Sequence, residues 1–103
     1  LSFEVRYLPT ARTDLIRLYD HLIEKATTVE DLGHAEKAYE AIVSAIESLS
    51  RSPFIYRKAA ESPFLRELVI PFGAAGYVAL FDIVDARTVH VLAIRHQAED
   101  DYH

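Results

Sequence analysis

Tyr77-Val78-Ala79-Leu80-Phe81-Asp82-Ile83-Val84 is the stretch on which the fold turns. Eight residues, rich in aromatic and β-branched types, hold one polar side chain. That is the composition of a strand inside a sheet. Successive strand side chains alternate between faces. Tyr77, Ala79, Phe81 and Ile83 therefore point one way. Val78, Leu80 and Val84 point the other, with Asp82 the polar exception. Both faces of this strand are apolar, so both need cover or leave apolar surface exposed.

Strand-like runs flank it on either side. Phe64 to Ile70 precedes it, and Pro71-Phe72-Gly73-Ala74-Ala75-Gly76 reads as the intervening turn. Asp85-Ala86-Arg87 is a tight turn into Thr88 to Arg95. Short connections between consecutive strands imply antiparallel hairpins. Phe54 to Pro63 is irregular and reads as loop.

The N-terminal half changes period. Phe3, Val5 and Tyr7 alternate with Glu4 and Arg6, a strand with one buried face. Pro9 ends it and suits the first turn of a helix, where a missing N–H costs nothing. Ala11, Leu15, Leu18/Tyr19, Leu22 and Ala26 then recur at helical spacing. Thr27 to Asp31 break the pattern, and Thr28 with Asp31 resembles a capping box. A second helix follows through Leu32, Ala35, Ala38/Tyr39, Ile42, Ala45/Ile46 and Leu49, closed by Ser52-Pro53. Its alanines let a neighbour come close. The two helices form an antiparallel hairpin.

The expectation is a single α+β domain over 1–103, in the order β-α-α-β-β-β. An antiparallel sheet carries the N-terminal helical hairpin on one face. Two helices cover one face of a small sheet. The other face is covered by the tail, by the 54–63 loop, or by a partner protein.

Composition narrows the function. The chain has 103 residues, half of them hydrophobic, and no cysteine. Disulfides, thiolate nucleophiles and Cys-ligated zinc are thereby excluded. No apolar run approaches the roughly 20 residues that span a bilayer. Ser2, Glu4 and Arg6 interrupt any signal-peptide core. A cytoplasmic location without membrane partners is the expectation. The net charge of −5 argues against a whole surface built for nucleic acid. Arg51, Arg57, Lys58 and Arg66 still leave room for a local basic patch. The five histidines are scattered, and no HExxH, acidic metal loop or Gly-rich phosphate cradle occurs. No metal and no cofactor are expected.

Several pieces occur in a telling order: Tyr7-Leu8-Pro9-x-Ala11-x-x-Asp14-Leu15-x-x-Leu18-Tyr19, Ala45-Ile46-x-x-Leu49-x-x-x-Pro53, Leu65-Arg66-Glu67-Leu68, Gly76-Tyr77-Val78-Ala79-Leu80-Phe81 and Val91-Leu92-Ala93-Ile94-Arg95-His96. Together they resemble the RelE/ParE superfamily of toxins, over nearly the whole chain. The resemblance implies the toxin half of a bacterial type II toxin–antitoxin pair, of the plasmid stabilisation kind. RelE-like members are ribosome-dependent mRNA endonucleases, and ParE-like members inhibit DNA gyrase. Both are neutralised by a cognate antitoxin. A homodimer and a toxin–antitoxin hetero-oligomer both stay open.

A metal-free RNase needs a base for the 2′-OH proton, a cation for the phosphorane and an acid for the leaving oxygen. Arg66 matches the family's strand arginine, and His96 the position where nuclease members carry a titrating side chain. These two are the catalytic candidates if the chain is a nuclease. The structural alternatives are an Arg66 paired with Asp82 or another acid, and an ordinary strand-end histidine. The nuclease subgroup's second arginine, in the central strand, is absent from Ala75-Gly76-Tyr77-Val78-Ala79. That loss and the net acidity favour the ParE-like reading, in which the chain catalyses nothing. Arg57, Lys58, Arg66, Arg95, His96 and Tyr102 are then the expected target-binding residues. Tyr77, Val78, Leu80 and Phe81 are the expected antitoxin contacts. A non-toxic family member serving only as a binding module is the third reading.

Overall fold

A computed structural model describes residues 2–60 and 62–98. The order is β1 (Glu4–Tyr7), α1 (Pro9–Lys25), α2 (Val29–Glu47), β2 (Arg66–Phe72), β3 (Ala75–Asp85) and β4 (Thr88–His96), with two short 3-10 turns between α2 and β2. The expected β-α-α-β-β-β order is present. The four strands form one sheet in the order β1-β4-β3-β2. β2, β3 and β4 are antiparallel, whereas β1 runs parallel to β4. The sheet is therefore mixed rather than wholly antiparallel. The helical hairpin between β1 and β2 carries the chain across the sheet and makes the parallel pairing reachable.

Local chemistry explains the helices. Pro9 sits in the first turn of α1. Thr28 caps α2, its hydroxyl accepting from the Asp31 N–H at 3.0 Å. The Asp31 carboxylate accepts from the amide and the hydroxyl of Thr27. These bonds hold its carboxyl below the ordinary range. Ala35 and Ala38 are fully buried, with Ile42 and Ile46 completing the seam of α2.

The core lies between the hairpin and one sheet face. Leu18, Ala38, Ile42, Ile46, Leu68, Ile70, Ala79, Phe81, Val89, Val91 and Ile94 belong to it. Tyr77 belongs to it as well.

Three strand details depart from simple alternation. First, β2 runs two residues further than Ile70 and includes Pro71. The Glu67 N–H donates outward to the Arg57 carbonyl, so residues 67, 69 and 71 turn their backbone polar groups away from β3. Pro71 thus lacks its N–H where β3 does not need it. The turn shrinks to Gly73-Ala74, with Gly73 at φ 62°. Gly76 lies in β3 rather than in the turn, where a Cβ would stand 2.2 Å from the Ile70 carbonyl oxygen.

Second, β4 bulges at Leu92: Phe81 faces Val91 while Leu80 faces Ala93. The bulge keeps Val89, Val91 and Ile94 on the helix side. Strict alternation from Val89 would have put Arg95 there. Third, a register shift beside Val84 loosens the last hairpin, and Val84 is exposed.

Candidate functional site

Beyond Tyr7, the outer edge of β4 has no strand beside it among the described residues. α1 completes it instead. The Leu8 amide donates to the Val91 carbonyl, and the Thr10 hydroxyl to that of Leu92. The Asp14 carboxylate accepts from the Ile94 N–H at 2.9 Å and from the Arg95 guanidinium. Side chains of Asp14 and Arg95 are 15% and 14% exposed. Arg95 therefore belongs to a largely buried ion pair that locks α1 onto β4.

At the opposite edge, residues 57–59 run along β2. Lys58 bridges Arg66, and the Ala59 amide donates to the Leu65 carbonyl. Arg57 meets Glu67 at 3.2 Å, but its side chain is 78% exposed. Such a pair contributes about 0–1 kcal/mol. Arg66 turns its Nη1 to the carbonyls of Tyr56 at 2.6 Å and Phe54 at 3.4 Å. Its guanidinium also lies 5.8 Å from the centre of the Phe54 ring. The structural partner of Arg66 is this backbone and not Asp82. Tyr56 in turn meets Phe81 edge-on. Arg66 thus fastens the 54–56 turn over the end of the core.

Register separates the two catalytic candidates. Arg66 stands opposite Phe81 and His96 opposite Tyr77, on the two strands flanking β3. Four residues of strand are about 13 Å, and two strand spacings about 10 Å. The two side chains do not converge on one phosphate.

His96 lies at the helix-side end of the sheet. Its ring meets Tyr77 edge-on at 5.3 Å, and its Nδ1 accepts from the Ala98 N–H at 3.0 Å. Burial pushes the Tyr77 phenol up from its ordinary value. A groove of about 620 Å³ opens here, lined by Arg17, Leu18, His21, Leu22, Lys25, Tyr77, His96 and Ala98. Reading the sequence passed over Arg17, His21 and Lys25. Their signal was the i, i+4, i+8 spacing along α1, one stripe of a helix.

The expected target-binding residues therefore fall into three places. Arg57, Lys58 and Arg66 gather at the edge of β2. Arg95 is tied to α1, and His96 borders the groove. Tyr102 lies outside the described residues.

The expected antitoxin contacts also divide. Phe81 is wholly buried and Tyr77 nearly so, both in the core beneath the helices. They are not part of the far face. Val78 and Leu80 are on that face, but at 6% and 8% exposure they are already screened. Val78 lies between Val69 and Arg95, and Leu80 between Glu67 and Ala93. Glu67 and Arg95 are themselves largely covered, the first paired with Arg57 and the second with Asp14. The face is a narrower apolar platform than the alternation implied, with Val69 exposed at 43% and Val84, beside the register shift, at 47%. Among the described residues no metal-binding cluster occurs, and no helix is long and apolar enough to cross a membrane.

Comparison with known proteins agrees with this architecture. Residues 5–101 match the family model described as the ParE toxin of the type II toxin–antitoxin system parDE. A toxin named RelE3, from Caulobacter vibrioides, is 32% identical over 91 residues, covering 88% of this chain and 90% of that protein. A structure described as the chromosomal ParDE TA system from P. aeruginosa superposes with a TM-score of 0.73 at 21% identity. That match covers 91% of this chain and 95% of the other.

Proposed function

Because the chain belongs to the ParE toxin family of type II toxin–antitoxin systems, we propose that it is a ParE-like toxin that acts by binding DNA gyrase and is held inactive by a cognate antitoxin. It catalyses nothing in this reading, uses no cofactor and works in the cytoplasm. The observation that carries the reading is the distance between Arg66 and His96. A phosphoryl-transfer site needs base, cation and acid around one phosphorus. Here Arg66 is spent on loop carbonyls, and the far-face cation Arg95 is neutralised by Asp14. What is left for recognition is a protein-binding surface: the exposed edge of Arg57 and Lys58 for the target, and the far face around Val69, Val78 and Leu80 for the antitoxin.

Induced expression in a bacterial host tests it. The expected result is a DNA-damage response with intact mRNA, and inhibited supercoiling when the purified chain is added to gyrase. A RelE-like endoribonuclease is the second reading, favoured by the relative named Toxin RelE3. Ribosome-dependent cuts in mRNA with undamaged DNA would establish that reading and overturn the first. Unimpaired growth would point to a non-toxic binding module.

A further inference from the structure

The segment that borders β2 mixes anchored with displayed side chains. Pro53 is wholly buried and Ala59 nearly so. Tyr56 meets Phe81 edge-on, and Arg66 donates to the carbonyls of Phe54 and Tyr56. Between these anchors Ile55 is 74% exposed, and Arg57 and Lys58 face outward. The Arg57 Nε donates to Glu67, yet 78% of its side chain is exposed. Lys58 bridges Arg66 and the Ala59 amide donates to the Leu65 carbonyl, so Phe64 comes next along the same edge. Phe64 is 77% exposed. The two cations thus stand between two projecting apolar side chains. Residues 51–66 hold Arg51, Arg57, Lys58 and Arg66 against one acid, Glu61, which lies outside the described residues. The exposed apolar residues of α2, Val29 and Leu32, have Glu30, Asp31 and Glu36 around them in sequence instead.

We propose that Ile55 and Phe64 are the apolar anchors by which the toxin grips its target, and that the partner is a protein surface with carboxylates between two apolar recesses. Arg57 and Lys58 meet the carboxylates, and the two projecting side chains fill the recesses. The buried anchors at 53, 56 and 59 hold this edge in shape before the partner arrives, which lowers the ordering cost of binding. Charge complementarity selects the occupant. A second copy meeting the same edge would set cations against cations. An anionic membrane surface or a nucleic acid meets the field of a chain at −5. Single strands also stack on successive rings, whereas Phe54 already has Arg66 over its ring and Phe3 at 5.8 Å, and Ile55 offers no ring. The assignment rests on the gyrase reading for its target and adds the apolar half of the contact.

The test compares the full chain with two double variants, Ile55→Ser with Phe64→Ser and Arg57→Gln with Lys58→Gln. All four positions are exposed, so the denaturant midpoint is expected to stay in place. Each pair is expected to raise the concentration that half-inhibits gyrase supercoiling about tenfold or more, and to relieve growth arrest in the host. Parent-like inhibition by the serine pair overturns the apolar anchors and leaves the gyrase reading standing. Parent-like inhibition by the glutamine pair overturns the acidic partner. If the parent arrests growth without touching gyrase and both pairs relieve the arrest, the gyrase reading fails and the anchors stand against another protein. A parent that neither inhibits gyrase nor arrests growth overturns both. Three further measurements assign the edge to a different occupant and overturn the proposal if positive: binding of a uridine hexanucleotide, flotation with phosphatidylglycerol vesicles, or concentration-dependent dimerisation, each present in the parent and lost in both pairs.

Discussion

The two faces of this sheet are built from the same strands but held by different means. On the helix side, Leu68, Ile70, Tyr77, Ala79, Phe81, Val89, Val91 and Ile94 meet the helical hairpin in a closed core. On the far side, Val78 and Leu80 are nearly covered, and Val69 is left partly open. The comparison teaches that a central strand apolar on both sides need not expose both. The first face secures folding, and the second is the one the proposed antitoxin would meet.

The sharpest way to break this comparison is to truncate one residue on each face. Phe81→Ala removes a wholly buried ring and is expected to cost about 3–5 kcal/mol, including the cavity left behind. That is a large share of the roughly 5–15 kcal/mol available to a domain. Val69→Ser, on the other face, is expected to change stability by about 0.5 kcal/mol or less while weakening antitoxin capture. Denaturant titration gives the first quantity, and binding to the co-expressed antitoxin the second. Equal costs would mean that the far face contributes as much to folding as the core does.

Asp14→Ala comes next, because it attacks the seam where the faces meet. It would leave the Ile94 amide without its acceptor and Arg95 without its carboxylate. A cost of about 2–3 kcal/mol is expected from the lost acceptor of the Ile94 amide and the lost charge partner of Arg95. Removing Arg95 as well should recover part of that loss in a double-mutant cycle. No recovery would show that the ion pair matters less than the amide bond at the strand edge.

Much of the covered face was legible in the sequence, and the reasons are local. The period of α1 and α2, Pro9, Thr28 and the alternation in β1 and β3 each report one residue's neighbours along the chain. The parallel placement of β1 was not legible, because an edge pairing across about 80 residues leaves no periodic trace. The Leu92 bulge was also invisible, and it moves Arg95 from one face to the other. The layout of the candidate residues was hidden for the same reason. Arg66 and His96 were grouped by family position, whereas strand register sets them on opposite flanks of β3. The groove cations could have been found by continuing the helical count on the polar side of α1.

Arg66→Met sharpens the contrast between anchoring and chemistry. It keeps the stem that packs near Phe54 and removes the donors to Tyr56 and Phe54. A loss of about 1–2 kcal/mol is expected, with faster amide exchange across 56–59. Toxicity should fall only in proportion to the folded fraction. Abolished toxicity in a fully folded variant would restore Arg66 to a direct role.

The smallest expected effect is at alkaline pH, and it belongs to the covered face. Tyr7 packs against the core, and burial, with Tyr39 and Glu47 nearby, pushes its phenol up to about 12. The unfolded chain ionises this group near 10. Between those values the unfolded state gives up the proton more readily, so the stabilisation is complete below about 10 and is lost as pH rises through about 12. Tyr7→Phe cannot ionise and should flatten the fall of stability across that window, leaving the neutral-pH value nearly unchanged. Tyr77, raised in the same direction by burial, should retain part of the slope. A Tyr7→Phe variant that loses stability above pH 10 as steeply as the parent would mean that Tyr7 does not hold its proton against the core, and that the alkaline response comes from the exposed surface.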